Sequence, residues 1–420
     1  MLQHEASDAG HRGETCRTDA RKNPRAMRAP ERIQTALRSF RVLRDLSPSQ
    51  MQNFMDSYLI YSLDWADEET MVTTLGPDYE RVVGQKLADY YCVLNHLCAL
   101  GELEKMYIPP AMDLDENIMT NQLLYEQQVC KELLLPPNAR VLELGCGRGR
   151  VAAHVSRVTS AQIVGLNIDE DQVISARNYN EHSGLRNRFI RADFNDLPLP
   201  VESESFDGFY QIQAFSLAKD HDALCQELYR VLKPGARLSL LDWVSLEAYN
   251  PQDPHHQELM TAIKPLIGAV GTPTPASLAS SLTKAGFQMI DSSNMSIDGL
   301  QAPLIERADG FFRTVRKVVL GGVRLGVLPA HFKTLFNRLT QDCDAFVEAD
   351  RKRLITTSWH WLAEKPLSKA GKKGSDDSAY GSLSSSQEAI DNSRTSLSHG
   401  NGNAESNANT GGAHDSTAAN

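Results

Sequence analysis

Between residues 138 and 366 the chain alternates short apolar runs with longer amphipathic ones. Seven runs read as strands: 140–146 (RVLELGC), 162–168 (QIVGLNI), 188–194 (RFIRADF), 208–214 (GFYQIQA), 237–243 (RLSLLDW), 287–293 (FQMIDSS) and 355–363 (ITTSWHWLA). Several are continuous in β-branched or aromatic residues, as strands buried on both faces are. Helices fit between them at 150–158, 169–183, 220–232 and 275–285. Such alternation predicts an α/β fold, a doubly wound and mostly parallel sheet. Ligands of these sheets sit beyond the carboxyl ends of the strands, where the strand order reverses.

The first strand runs into Gly145-Cys146-Gly147-Arg148-Gly149-Arg150. A dinucleotide fingerprint would place its third glycine three residues after the second, where this chain has Arg150. The Gly-Lys-Ser/Thr ending of a phosphate loop is absent as well. What remains is a tight strand-to-helix turn. It is either an ordinary turn or one where backbone approaches a ligand closely, because glycine carries no Cβ.

Net charge is −10, which argues against a general affinity for nucleic acid, since phosphate binding needs clustered Lys and Arg. The 7 cysteines are scattered, with no C-x-x-C pair, so structural zinc and thioredoxin-like chemistry find no support, and a reducing compartment fits. His255-His256, His331 and His360 form no ligand spacing, so no metal is expected. Cys146 reads as a small packing residue. Neither a secretory signal nor a membrane-spanning run is apparent. The most apolar late stretch, Val318-Val319-Leu320-Gly321-Gly322-Val323, is broken by Arg324 and reads as a buried helix or pocket wall, with a membrane surface as the alternative.

The expected organisation is a disordered polar tail over residues 1–45, a helical region over 46–135, the α/β domain over 136–366, and a disordered low-complexity tail over 367–420. In the helical region Ser49 is expected to cap a helix through Tyr61. A second helix follows Pro77 with Val82, Val83, Leu87, Tyr90, Tyr91 and Leu94 on one apolar face. Trimming to residues 46–367 is therefore expected to leave stability unchanged.

Three strand ends carry groups suited to a nucleoside. Asn167 stands where a ribose-binding side chain is usual, with Asp169 and Gln172 close behind, and a strand-ending turn is the plain alternative. Asp193 and Phe194 can meet the amine and the ring face of adenine. After the fourth strand comes Tyr210-Gln211-Ile212-Gln213-Ala214, and Val231-Leu232-Lys233-Pro234-Gly235 closes a helix before the fifth.

The ordered set LELGCGRGR, VVGLNIDEDQ, ADFNDLPLP, FDGFYQIQA and ELYRVLKPGARL resembles the class I S-adenosylmethionine-dependent methyltransferases. Over about residues 80–366, DLPLPVESESFD, LDWVSLEAYNPQDPHH and DAFVEADRKRLITTSWHWLAEKP narrow the resemblance to the sterol side-chain (24-C-) methyltransferases. The resemblance implies a seven-stranded Rossmann-like methyltransferase sheet and S-adenosyl-L-methionine as cofactor. It places cofactor contacts at Glu143, Gly145, Gly147, Gly149, Asn167, Gln172, Asp193 and Phe194. It also implies a helical insert, about residues 296–354, that covers a lipid pocket. The implied protein is cytoplasmic, with peripheral contact to endoplasmic reticulum or lipid-droplet membranes and homo-oligomers both open.

The chain departs from that family at two places. An aromatic, glycine-rich stretch before the cofactor domain is replaced by Lys105-Met106-Tyr107-Ile108-Pro109-Pro110-Ala111-Met112-Asp113, and Gln213 stands in place of an acid. Methylating an alkene leaves a cation that aromatic faces and a carboxylate would shield, so both departures touch the chemistry. Tyr107, Asp113, Gln213 and Trp243 are the expected catalytic-pocket residues, Trp243 as substrate wall with a core position as the alternative. The leading expectation is a methyltransferase acting on a lipophilic sterol- or terpenoid-like molecule. An N- or O-methyltransferase of secondary metabolism and a regulatory protein on the same fold are the alternatives.

Overall fold

The computed structural model describes residues 29–65, 67–100 and 104–367. The elements, in chain order, are α1 (Ala29–Arg44), α2 (Pro48–Ser57), α3 (Glu68–Leu75), α4 (Tyr79–Leu100), α5 (Ile118–Glu132), β1 (Arg140–Leu144), α6 (Arg150–Thr159), β2 (Gln162–Asn167), α7 (Glu170–His182), β3 (Arg188–Arg191), β4 (Phe206–Ile212), α8 (His221–Val231), β5 (Leu232–Ser245), α9 (Pro254–Ile267), α10 (Pro275–Ala285), β6 (Gln288–Asn294), α11 (Ala302–Arg324), α12 (His331–Thr340), α13 (Cys343–Arg351) and β7 (Ile355–Glu364).

The seven strands form one sheet in the order β3-β2-β1-β4-β5-β7-β6. The first five pair in parallel, and β7 runs antiparallel to both of its neighbours. The order reverses between β1 and β4, so the two loops at their carboxyl ends diverge and leave a crevice. Leu142, Leu144, Phe209, Leu238 and Leu240 are fully or almost fully buried in the sheet, as their continuous apolar runs predict.

The polar tail expected over 1–45 is overturned for its last third. Residues 1–28 lie outside the described ones, but Ala29–Arg44 is a helix that buries Leu43 and half-buries Phe40 against α4 and α12. The tail expected over 367–420 falls outside the described residues from 368 on. The next helix is capped two residues before the expected Ser49. Ser47 is the N-cap, in a capping box with Gln50 and with Pro48 at the first helical position, and a 3-10 turn (Tyr58–Ser62) follows.

The N-terminal helices and the insert between β6 and β7 share one apolar cluster. It runs from Leu43, Phe54 and Tyr90 to Phe332, Leu335 and Phe336. His331 Nε2 lies 2.8 Å from the Leu43 carbonyl oxygen, the Phe40 and Phe332 rings are 5.7 Å apart, and the Arg338 guanidinium sits 4.0 Å over the Tyr58 ring. The start of α11 is fastened by Asp350, whose Oδ2 accepts from the Gln301 and Ala302 N–H groups at 2.8 and 2.7 Å. Helices from both ends of the chain thereby form a single cover.

Candidate functional site

At the reversal point a cleft opens beyond β1, β2 and β4. It holds about 980 Å³ of empty volume, its open mouth included. Its floor is the glycine turn and the strand ends Asn167, Asp193, Phe194, Ile212 and Gln213. Its roof is Leu87, Tyr91 and Asn95 of α4 with residues 104–107.

The three glycines all have positive φ, but they do different things. A Cβ on Gly145 would stand 2.6 Å from the Ala214 Cβ, and one on Gly149 would stand 2.9 Å from both Ala176 and Phe189. Those two positions let the turn pack against its own scaffold. Gly147 lines the cleft, where a Cβ would meet only Gln172 Oε1, at 3.3 Å. Gly149 does not line the cleft; it is the N-cap of α6. Cys146 is buried beneath the turn against Gly165, and burial raises its thiol far above the ordinary range.

Glu143 reaches the cleft from the middle of β1 and is almost wholly buried. Its Oε2 has no hydrogen-bond partner among the described residues, and burial pushes the carboxyl up to about 8. A buried acid in this state is matched to an incoming cationic group, which would supply the missing partner and favour its ionised form. Asn167 Oδ1 accepts from the Asp169 N–H at 2.9 Å, so the turn role is real, and the Nδ2 side of the amide stays available. Asp169 itself is committed to capping α7 through Asp171 and to Gln172 Nε2. Asp193 Oδ1 accepts from the Asn195 N–H at 2.9 Å, and burial raises its carboxyl. Phe194 beside it packs into the apolar cluster of the cover.

Of the four residues expected at the reacting end, the structure brings two into the cleft. Tyr107 lines it, but its hydroxyl lies 2.8 Å from Glu126 Oε1 and 3.0 Å from the Gln122 carbonyl, and burial raises the phenol well beyond the ordinary range. It offers a ring, not a proton. Gln213 follows β4 at φ 51 and is held at both ends of its amide. Nε2 donates to the Ile108 and Thr357 carbonyls at 2.6 and 2.8 Å, and Oε1 accepts from the Ile108 N–H at 2.9 Å. The turn after it is ordered by Asp242, which accepts from the Phe215, Ser216 and Trp243 N–H groups and which burial pushes up to about 6.

Asp113 and Trp243 do not line the cleft. Asp113 shapes the loop into α5, its Oδ1 accepting from the Asp115 N–H and its backbone bonded to Asn121. Trp243 is buried between β5 and the helices α9, α11 and α13, among Leu259, Ile263, Ile305 and Phe346. For Trp243 this follows from the strand: a side chain near a strand end faces the crevice or the layer beside it, and Trp243 takes the second course.

Several residues that line the cleft, or that hold its lining in place, carry no local sequence signal. Glu126 of α5 is fully buried and accepts from Lys105 Nζ at 2.6 and 2.7 Å, with His154 Nδ1 at 2.5 Å. Burial alone would raise its carboxyl, but Lys105 and His154 hold it below the usual range. Glu104 pairs with Arg150 at 3.0 Å, which ties the roof segment to α6. Arg148 lines the cleft, and its guanidinium has no hydrogen bond or ion pair among the described residues, an anion-seeking group at the turn.

Residues 141–235 match the family model described as a methyltransferase domain. The sterol 24-C-methyltransferase of Pneumocystis carinii (strain B80) is 31% identical over 280 residues, covering 60% of this chain and 72% of that protein. The cycloartenol-C-24-methyltransferase of Arabidopsis thaliana is 28% identical over 258 residues, 58% of this chain and 76% of that one. Among solved structures, the cyclase SpnF superposes with a TM-score of 0.53 at 19% identity, over 68% of this chain and 97% of that chain, a likeness of fold.

Proposed function

The chain belongs to the sterol 24-C-methyltransferase family, and from there we propose that it methylates a sterol- or terpenoid-like acceptor at an atom that needs orientation rather than a carboxylate beside it. It is an S-adenosylmethionine-dependent methyltransferase with a lipophilic small-molecule substrate.

The cleft residues fit the cofactor, and the unpartnered Glu143 Oε2 carries that fit. In this reading Glu143 faces the amine of the methionine part and Arg148 its carboxylate. The backbone of Gly145 and Gly147 lets that part come close. Asn167 and Gln172 hold the ribose side, while Asp193 accepts from the adenine amine with Phe194 on the ring. When bound, the cofactor supplies an electrophilic methyl group on a sulfonium. The chain's own contribution is placement of the acceptor in line with that methyl, and exclusion of water by Tyr91, Tyr107 and Phe194.

The observation that carries the acceptor reading is the amide of Gln213, neutral and bonded at both ends to backbone. A carbocation formed there would find no counter-charge. A nitrogen or oxygen acceptor generates no such cation, and this favours the second reading, N- or O-methylation. Incubation with labelled S-adenosylmethionine and a lipid extract, followed by mass spectrometry of the labelled product, tests both. The expected result is a labelled lipophile and poor turnover of a sterol with a side-chain alkene. Efficient turnover of that sterol would overturn the reading of Gln213 and leave plain sterol side-chain methylation.

We also read the protein as cytoplasmic, peripheral at endoplasmic reticulum or lipid-droplet membranes, and able to self-associate. Among the described residues no helix is long and apolar enough to cross a membrane.

A further inference from the structure

We propose that the outer face of α11 docks the protein onto an anionic lipid bilayer, a proposal that rests on the lipophilic-acceptor reading above. Phe311, Val318 and Leu325 recur every seven residues and so share one stripe of the helix. They are 54%, 71% and 81% exposed, and Val327 in the turn beyond is 75% exposed. Four large apolar side chains this open to water, along one helix face and the turn beyond it, mark a contact surface rather than the scattered exposure of an ordinary monomer.

The charge around the stripe identifies what it contacts. Residues 310–341 contain Arg313, Arg316, Lys317, Arg324, Lys333 and Arg338 and no acid, in a chain whose net charge is −10. Arg313 is paired with Asp309 and Asp344, Arg316 is bonded to Asn337, and Arg338 is paired with Asp342. The side chains of Lys317, Arg324 and Lys333 have no hydrogen bond or ion pair among the described residues. Lys317 and Arg324 each precede a residue of the stripe. An apolar stripe edged by unneutralised cations is the pattern of a helix lying in the interface of an anionic membrane. A symmetric contact with a second copy would instead set these cations against one another.

The inner face of α11 supplies the link to the site. Val315, Val319 and Val323 belong to the apolar cluster that also contains Leu87, Tyr91, Leu217 and Phe194, all of which line the cleft. One helix therefore faces the outside with one set of apolar residues and, with another, packs into the apolar cluster that reaches the cleft through Leu87, Tyr91, Leu217 and Phe194. An acceptor dissolved in the bilayer would meet this element first.

The test is co-sedimentation of the full chain with vesicles of phosphatidylcholine alone and of equal parts phosphatidylcholine and phosphatidylserine. Strong partition into the mixed vesicles and weak partition into the neutral ones is expected. The double variant Val318→Asp/Leu325→Asp should lose partition into both. The triple variant Lys317→Ser/Arg324→Ser/Lys333→Ser should bind the mixed vesicles on the order of a hundredfold more weakly. Calorimetric titration with S-adenosylhomocysteine should give wild-type affinity for both variants, which excludes misfolding. Full vesicle binding by the stripe variant overturns the proposal. So does a wild-type dimer in light scattering that the stripe variant dissolves, which would make the face a contact between copies. Vesicle binding without any labelled lipophile would sink the acceptor reading and leave the docking face standing.

Discussion

The side chain of Gln213 and the backbone of Ile108 form a two-point hydrogen-bonded pair, Nε2 to carbonyl at 2.6 Å and N–H to Oε1 at 2.9 Å. A residue at the end of β4 thus fixes a segment 105 positions earlier in the chain, and that segment carries the cleft residue Tyr107.

Gln213→Glu should therefore destabilise the protein and should not improve turnover. The introduced carboxylate would face the Ile108 and Thr357 carbonyls without the donor that now bridges them, at a cost of about 1–3 kcal/mol, more while it is charged. The loss should grow as pH rises from 5 to 8, because the protonated acid can still donate one bond. Denaturant unfolding at both pH values measures it. Equal stability of variant and wild type at pH 8 would show that the clamp contributes little.

The buried Glu143 sets a pH signature. Its folded-state value of about 8 lies above the 4.5 of a free side chain. Between those values the folded protein holds a proton that the unfolded chain has released, so stability falls as pH rises across the window, by up to about 1.4 kcal/mol per pH unit. Glu143→Gln should flatten that slope. If the cofactor amine ionises the carboxyl, S-adenosylhomocysteine binding at pH 7 should release a proton. That release would appear as a binding enthalpy that varies with the ionisation enthalpy of the buffer. It should vanish in the variant.

The turn glycines should separate by experiment. Gly149→Ala drives a Cβ into Ala176 and Phe189, so it should cost stability, about 1–3 kcal/mol, while the folded fraction keeps near-normal cofactor affinity. Gly147→Val places its bulk inside the cleft and should weaken S-adenosylmethionine binding at least tenfold, on the order of 1.4 kcal/mol or more. Thermal melts paired with calorimetry distinguish them, and the reverse pattern would reassign both positions.

Helix α1 makes the two ends of the described residues unequal. A chain trimmed to residues 29–367 should melt like the full protein. One trimmed to 46–367 loses Phe40, the fully buried Leu43 and the acceptor of the His331 bond. Burial of those two side chains is worth about 3–5 kcal/mol, so the melting temperature should fall by several degrees. Identical melts would mean that α1 rests on the cover without supporting it.

The strands were legible because burial on both faces leaves a continuous apolar run, and that signal is local. Their ends were less so. β3 stops at Arg191 because its neighbour β2 stops at Asn167, whose carbonyl takes the last bond, from Ala192. β4 stops before Gln213 because that residue turns to positive φ. The cofactor side of the site was legible as a set of strand-end residues. Its roof was not, because Lys105, Glu126 and His154 meet only when three separate elements pack. Helix α1 was missed for a related reason: its few apolar residues suffice only because α4 and α12 are there to receive them.

The bond between His331 and Leu43 joins residues 288 positions apart. During synthesis the first five strands can pair as they emerge, but α1, α2 and α4 must wait for α12 before their shared apolar cluster is complete. Non-local contacts of this kind are formed late and slowly, and the surfaces that await them are exposed meanwhile. The nascent chain therefore carries open hydrophobic helices through most of its own translation. Its yield in a cell should depend on what holds those helices apart until the last hundred residues arrive.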